Sequence, residues 1–402
     1  MVYHLPTNRW GAGVSDDNLN KNSGFTLASV QFFFTLGWTV YATYLPELLK
    51  GAGIALTWLP WLLMADQLIF ATMDIAFGMV ADRVADGYRK LAHLLMWLTT
   101  VSAGAFLLLP ILDGVSPGLL LAVLAIWVVS ASVVRAPTMV LLAKRAKAAQ
   151  QGRLVAWYAG GMALASALSP FLALTLKGAD PRLPFALSAL SLLAAVFVLL
   201  RVSGKQPAET ESDAPPPLPF KAYLPLLLVL GVATFAFQLH AFVNAGPLYL
   251  AHVGKENLPW LMPLLWLGFF AALLGVGRLV KRFGPLSVAA SGILLTALAS
   301  YSSVTVNTLE ALIFSQMLAG AGWALAFSGL MERASADGTR GAEGVFMGSF
   351  FAITALSSFA RIGFATQYLP AMKDIQFALP AAVLLAAGLL AALYALKRRQ
   401  SR

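Results

Sequence analysis

The stretch GMVADRVADGYRK, Gly78 to Lys90, places two acids and three bases in one short segment directly after a long apolar run. That run, Trp58 to Ala81, is 24 residues, about 36 Å at the helical rise, which is enough to cross a bilayer with some tilt. Charges this dense are stable in water and costly in hydrocarbon, so the segment reads as a loop between two membrane spans.

The other half of the chain carries a second copy. Leu59-Pro60-Trp61-Leu62 recurs as Leu258-Pro259-Trp260-Leu261, and Gly78 with Arg83 recurs as Gly277 with Arg282. Every pair is offset by 199 residues, so one helix and the loop after it align without a gap. An internal repeat of half the chain length is the mark of a membrane fold built from two parallel halves.

Gly78, Asp82-Arg83, Gly87 and Arg89-Lys90 resemble the G-x-x-x-D-R-x-G-R-R/K loop signature of the major facilitator superfamily, which follows its second helix. Gly87 lies five residues after Asp82 where the common form has three, a longer turn closer to the glycoside and cation symporter branch. The resemblance implies an all-α membrane protein of 12 transmembrane helices in two six-helix bundles. It also implies that Gly78, Asp82, Arg83, Gly277 and Arg282 act as a conformational switch by tying helix ends together.

Composition agrees with a membrane protein. The chain has 402 residues, 59% apolar and 11% charged, and its mean hydropathy is +0.76, too little polar surface for a water-soluble globule. There is no cysteine, which excludes disulfides and thiolate metal sites. No charged segment leads into a short apolar core near residue 1, so no cleaved signal peptide is expected.

Apolar segments begin near residues 25, 58, 91, 117, 154, 183, 222, 259, 285, 309, 343 and 375. On this scheme 21 of the 28 Lys and Arg residues fall in inner loops and tails, Arg333 among them, and five in outer loops. Arg135 and Arg361 are left within spans. The asymmetry places both termini in the cytoplasm, and the expected location is a bacterial inner membrane. The net charge of +10 is accounted for by this sorting, so the expected partners are the lipid bilayer and a small-molecule substrate, with no nucleic acid and a monomeric state. Trp58, Trp61 and Trp260 lie at outer span ends, where indole rings favour the headgroup layer. The expected organisation is a cytoplasmic tail (1–24), a bundle (25–201), a proline-rich linker (202–221), a second bundle (222–396) and a basic tail (397–402).

Four charges lie inside spans and need a reason to be there. Asp66 and Asp74 stand on the second span, about 24 and 12 Å above Asp82 and about 80° apart around the helix. The stripe Asp66, Phe70, Asp74, Gly78, Asp82 resembles the second helix of the melibiose permease branch, whose acids bind the coupling cation. Here Phe70 replaces one acid and Ile75 stands where proline is common. Loss of an oxygen ligand weighs against sodium, whereas a proton needs only one carboxyl. No other cofactor is expected. Arg135, on the fourth span at a depth similar to Asp74, either pairs with it, snorkels to the interface or holds a substrate anion. Arg361 on the eleventh span matches the depth of Asp66, which makes the two a candidate gate pair on the outer side.

Further substrate-binding candidates are Gln31 and Trp38 on the first span, beside Thr35, Thr39 and Tyr41, and Gln238, His240 and Asn244 on the seventh, at spacings compatible with one face. Gln316 and Trp323 on the tenth complete the set. His240 is the first choice as a proton-active group, and hydrogen bonding between helices is the alternative for each of them.

The reading is a secondary transporter of a small solute. A drug or metabolite efflux antiporter is the alternative within the fold, though the fifth span lacks the G-P-x-x-G-G pattern common in drug exchangers. A membrane assembly factor is the alternative outside transport. An enzyme is not expected, because there is no metal-spaced histidine cluster, and no Walker glycine loop supports ATP-driven pumping.

Overall fold

The computed structural model describes residues 16–83, 88–112, 114, 116–143, 151–203, 219–338, 342–372 and 375–400. Among these residues there are 12 helices long and apolar enough to cross a membrane: α1 (Asn22–Gly51), α2 (Leu56–Arg83), α3 (Arg89–Ile111), α4 (Pro117–Leu141), α5 (Gly152–Leu176), α6 (Arg182–Ser203), α7 (Phe220–Leu250), α8 (Lys255–Phe283), α9 (Pro285–Thr305), α10 (Leu309–Asp337), α11 (Glu343–Gln367) and α12 (Leu379–Arg398). Each begins within four residues of its expected start, because a run of apolar residues in lipid has no way to satisfy its backbone except as a helix. Gly87, Arg340 and most of the proline-rich linker, residues 204–218, lie outside the described residues.

Three boundaries differ from expectation. The first helix begins at Asp16, inside the expected tail; acids suit the positive end of a helix. The sixth runs through Ser203, past the expected linker start. Arg333, expected in a loop, lies in α10, where it is buried and its Nε donates to Asp337 (2.9 Å). Arg398 of α12 approaches the same carboxylate at 3.8 Å.

In the first half α1 packs on α5 and α6, and α3 packs on α4 and α6; in the second, α7 packs on α11 and α12, and α10 on α8 and α9. The halves meet mainly through α2 against α11 and α5 against α8. Asp82, Arg83, Asp337 and Arg398 gather at one end of the molecule, called the basic end below. At the other end Trp58, Trp61 and Trp260 are exposed, and Trp260 packs its ring on Phe171 of α5 (4.8 Å).

Near the basic end α2 and α11 touch backbone to backbone. A Cβ added at Gly78 would strike the Gly344 carbonyl, and one at Gly348 would strike the Asp74 carbonyl and lie 3.3 Å from the Ile75 Cα. Without a hydrophobic driving force between helices in lipid, such close approach of small residues is the main source of contact. The second copy of the signature packs differently, since a Cβ at Gly277 meets nothing within 4 Å and Arg282 lies over its neighbour Phe283 (5.1 Å). The equivalence of the two copies as switch elements is therefore not seen in the packing.

Gly348→Leu is expected to wedge α2 from α11. With a reporter cysteine placed at buried Ala71 of this cysteine-free chain, maleimide modification in detergent should accelerate at least about tenfold, the equivalent of about 1.4 kcal/mol. An unchanged rate would show that the glycine contact does not hold the seam.

Candidate functional site

Two helices are broken where the charges sit. In α4 an α-helix ends at Ala131, Ser132–Val134 form a 3₁₀ turn, Arg135 has φ −89° and ψ −92°, and helix resumes at Ala136. Pro137 has no N–H to give and disfavours helical geometry in the residue before it. The break leaves the Val134 carbonyl to side chains, and in a membrane some group has to satisfy it. Gln31 of α1 does so through Nε2 (3.2 Å), joined by the Thr138 hydroxyl. Gln31 thus supports the break.

The break turns Arg135 into the seam between the halves. Its Nη1 lies 3.4 Å from Oδ2 of Asp74, and its Nη2 donates to the Phe351 carbonyl and the Thr354 hydroxyl of α11, both at 3.1 Å. The guanidinium sits 5.3 Å from the ring centroids of both Phe70 and Phe351, a spacing at which the negative ring faces attract a cation. Asp74 is fully buried, and neither of its oxygens has a hydrogen-bond partner. Arg135 is its single ionic partner, and loss of one member of such a buried pair costs about 3–5 kcal/mol.

Nearer the basic end Asp82 reaches from α2 to the start of α11. Its Oδ1 accepts the Gly344 N–H (2.6 Å) and its Oδ2 the Val345 N–H (2.8 Å). These are two of the four N–H groups that a helix start leaves without partners, and the carboxylate also opposes the positive end of the helix dipole. One side chain of the first half thereby caps a helix of the second.

The remaining candidates separate into two environments. Asp66 accepts the Tyr41 hydroxyl (2.6 Å) inside an aromatic cluster in which Trp38 stacks on Trp127 (5.9 Å, 20°) and meets Phe70 edge-on (5.5 Å). Arg361 donates through Nε to Oε1 of Gln238 (3.2 Å) and lies over the Phe242 ring (5.2 Å). The structure does not bring Asp66 and Arg361 together; each is bonded within its own half. Their depths do match, since a Cβ at Gly363 would sit 3.2 Å from Met64.

The single face expected for Gln238, His240 and Asn244 is not observed. Two residues turn a helix by about 200°, and a π-helical segment at Leu239–Asn244 shifts the register further. His240 is fully buried and shares a hydrogen bond with Ser300 of α9 (3.0 Å), and Asn244 bonds Gln376 (3.0 Å). Gln316 points to Ser303 (3.5 Å), and Trp323 stacks on Phe237 (4.3 Å, 10°). These four side chains are engaged inside the second half. Phe242, Trp266 and Thr354 were not singled out by sequence; helix depth and face, counted from Arg361, would have pointed to Phe242.

A crevice of about 750 Å³ opens between α1, α5 and α8. Apart from Arg153 it is lined by apolar and small side chains and holds none of these acids, so the charged seam is the better candidate for chemistry.

The Major Facilitator Superfamily profile matches residues 27–360. No curated protein matches in sequence. Among solved structures, the human organic anion transporter MFSD10 (TETRAN) superposes with a TM-score of 0.70 at 17% identity, covering 92% of this chain and 99% of that one. The E. coli fucose:proton symporter FucP gives 0.68 at 13% identity, covering 92% and 97%. A bacterial homologue of the iron transporter ferroportin, in an outward-facing state, gives 0.68 at 16%, covering 94% and 100%.

Asp82→Asn keeps one acceptor and removes the charge, which should weaken the cap by about 0.5–2 kcal/mol. A cysteine at Ala352, buried in the seam, should then react about 2- to 30-fold faster with maleimide. Equal rates would mean that the helix start does not need the charge.

Proposed function

Because the chain belongs to the major facilitator superfamily, we propose that it is a secondary active transporter that moves a small solute between its two bundles by alternating access, driven by a proton and oriented with its basic end in the cytoplasm. The observation that carries this reading is the isolation of Asp74, a fully buried carboxylate whose one ionic partner is also a tether to the opposite bundle.

With Asp74 ionised, Arg135 is neutralised and oriented, and its far side holds the Phe351 carbonyl and Thr354 hydroxyl. Asp82 closes the same seam at the α11 start. A proton on Asp74 removes the counter-charge, and an unpaired guanidinium at this depth is costly. The cation is relieved by reaching water, which opening of the basic end provides. Protonation and opening are then two sides of one linkage, because each favours the state in which the other is easier. A hard metal cation seeks several oxygen ligands, whereas the surroundings of Asp74 are an arginine and two aromatic rings. This favours a proton over sodium. The acid stripe is similar to that of the melibiose permease branch, but Phe70 here faces the Arg135 guanidinium. The solved neighbours carry unlike cargoes, so none is transferred to this chain.

A panel of labelled solutes offered to proteoliposomes under an imposed pH gradient tests the transport reading, with gradient-driven accumulation of at least one solute expected and none by intact protein opposing it. The coupling role has a substrate-free test. The Ala352→Cys reporter should react faster as pH falls, since proton uptake favours release of the seam. In Asp74→Asn it should react fast at every pH. A pH response retained in Asp74→Asn would remove Asp74 from the coupling role.

A further inference from the structure

Arg135 is taken by Asp74 and α11, which leaves Arg361 as the charged group of the far-end half with its valences incompletely used. Its Nε is tied to Gln238, a nearly buried side chain. No protein group accepts a hydrogen bond from its Nη1 or Nη2, and the acid at the same depth, Asp66, is held by Tyr41. A guanidinium fixed through Nε presents the Nη1–Nη2 edge, whose two parallel donors fit the two oxygens of a carboxylate.

The surroundings show where that edge lies. Phe242 touches Arg361 of α11 on one side and Trp266 of α8 on the other (ring centroids 6.1 Å). Since α11 and α8 are the helices through which the second bundle meets the first, a ring bridging them faces the space between the bundles. Phe242 is 54% exposed there, an open aromatic surface beside an incompletely paired cation. A cationic ligand would be repelled at this point, and a neutral polar one would leave the guanidinium without a counter-charge. An anion with an apolar body satisfies both surfaces at once.

We propose that Arg361, oriented by Gln238, anchors the carboxylate of an amphipathic organic anion whose apolar body lies on Phe242 and Trp266. This names the substrate class and rests on the transport reading above, but it concerns equilibrium binding and not coupling. It therefore stands or falls separately from the role of Asp74.

The test is equilibrium dialysis of radiolabelled benzoate against the full chain in lipid nanodiscs, with no gradient imposed. Benzamide serves as the neutral isostere and acetate as the ring-free acid. Saturable benzoate binding is expected, at least about tenfold tighter than either comparison compound, given the strength of charge-assisted bidentate bonds and of ring contacts. Arg361→Gln should lose that preference for benzoate over benzamide, and Arg361→Lys should keep part of it. Phe242→Ala, a change at an exposed ring that spares the charge, should weaken benzoate about threefold or more while leaving acetate unchanged; it carries the test if Arg361→Gln does not fold. Absence of saturable benzoate binding, equal binding of benzoate and benzamide, or benzoate affinity untouched by both Arg361→Gln and Phe242→Ala would each overturn the proposal.

Discussion

An ion pair buried where its charges find no water has to be satisfied from within the protein, and the seam of this molecule is arranged around one such pair. Asp74 comes from a straight helix and Arg135 from a broken one. The break lets a long side chain leave α4 sideways, toward α11, and Gln31 takes up the carbonyl that the break exposes. Two phenylalanine rings, one from each bundle, flank the guanidinium. Close approach of α2 and α11 at Gly348 leaves no room for a side chain beside Asp74. Each of these features makes sense if the pair has to stay dry and aligned while the bundles are together.

The spans were legible in the sequence because hydrocarbon imposes a length and a polarity that composition cannot hide. Depth was legible too, since 1.5 Å per residue placed Arg135 level with Asp74 and Arg361 level with Asp66. Facing was much less so. The two offsets in α4 and α7 rotate everything beyond them, and Gln238 parts from His240 as a result. The partner of Asp82 was illegible for a different reason: it is backbone N–H, which every residue but proline owns, so no side chain at Gly344 or Val345 announces it.

The internal repeat also shows that likeness in sequence need not survive as likeness in contact. Counting 199 residues on from Asp82 gives Lys281, and an ammonium cannot accept the N–H groups of a helix start. At the matching place in the second half the acid comes from another helix. Glu332 of α10 lies against Gly152 at the beginning of α5, with Lys281 near enough to attract it. Both bundles thus bring a carboxylate to a helix start at the basic end, but from non-equivalent helices. The two halves of the seam have different chemistry and need not loosen together.

The apolar crevice between α1, α5 and α8 has a consequence for the membrane itself. Phe270, Leu273 and Leu274 on one wall belong to the second bundle, while Phe25 through Phe33 and the α5 wall belong to the first. Any rotation of one bundle against the other therefore changes the volume of a space that only lipid tails can fill. Hydrocarbon has to flow in or out with each cycle, so the work of rocking includes a term set by the lateral pressure and chain order of the surrounding leaflet. Stiff, saturated tails oppose that flow and disordered ones permit it, which makes the bilayer a mechanical component of the cycle as well as its solvent.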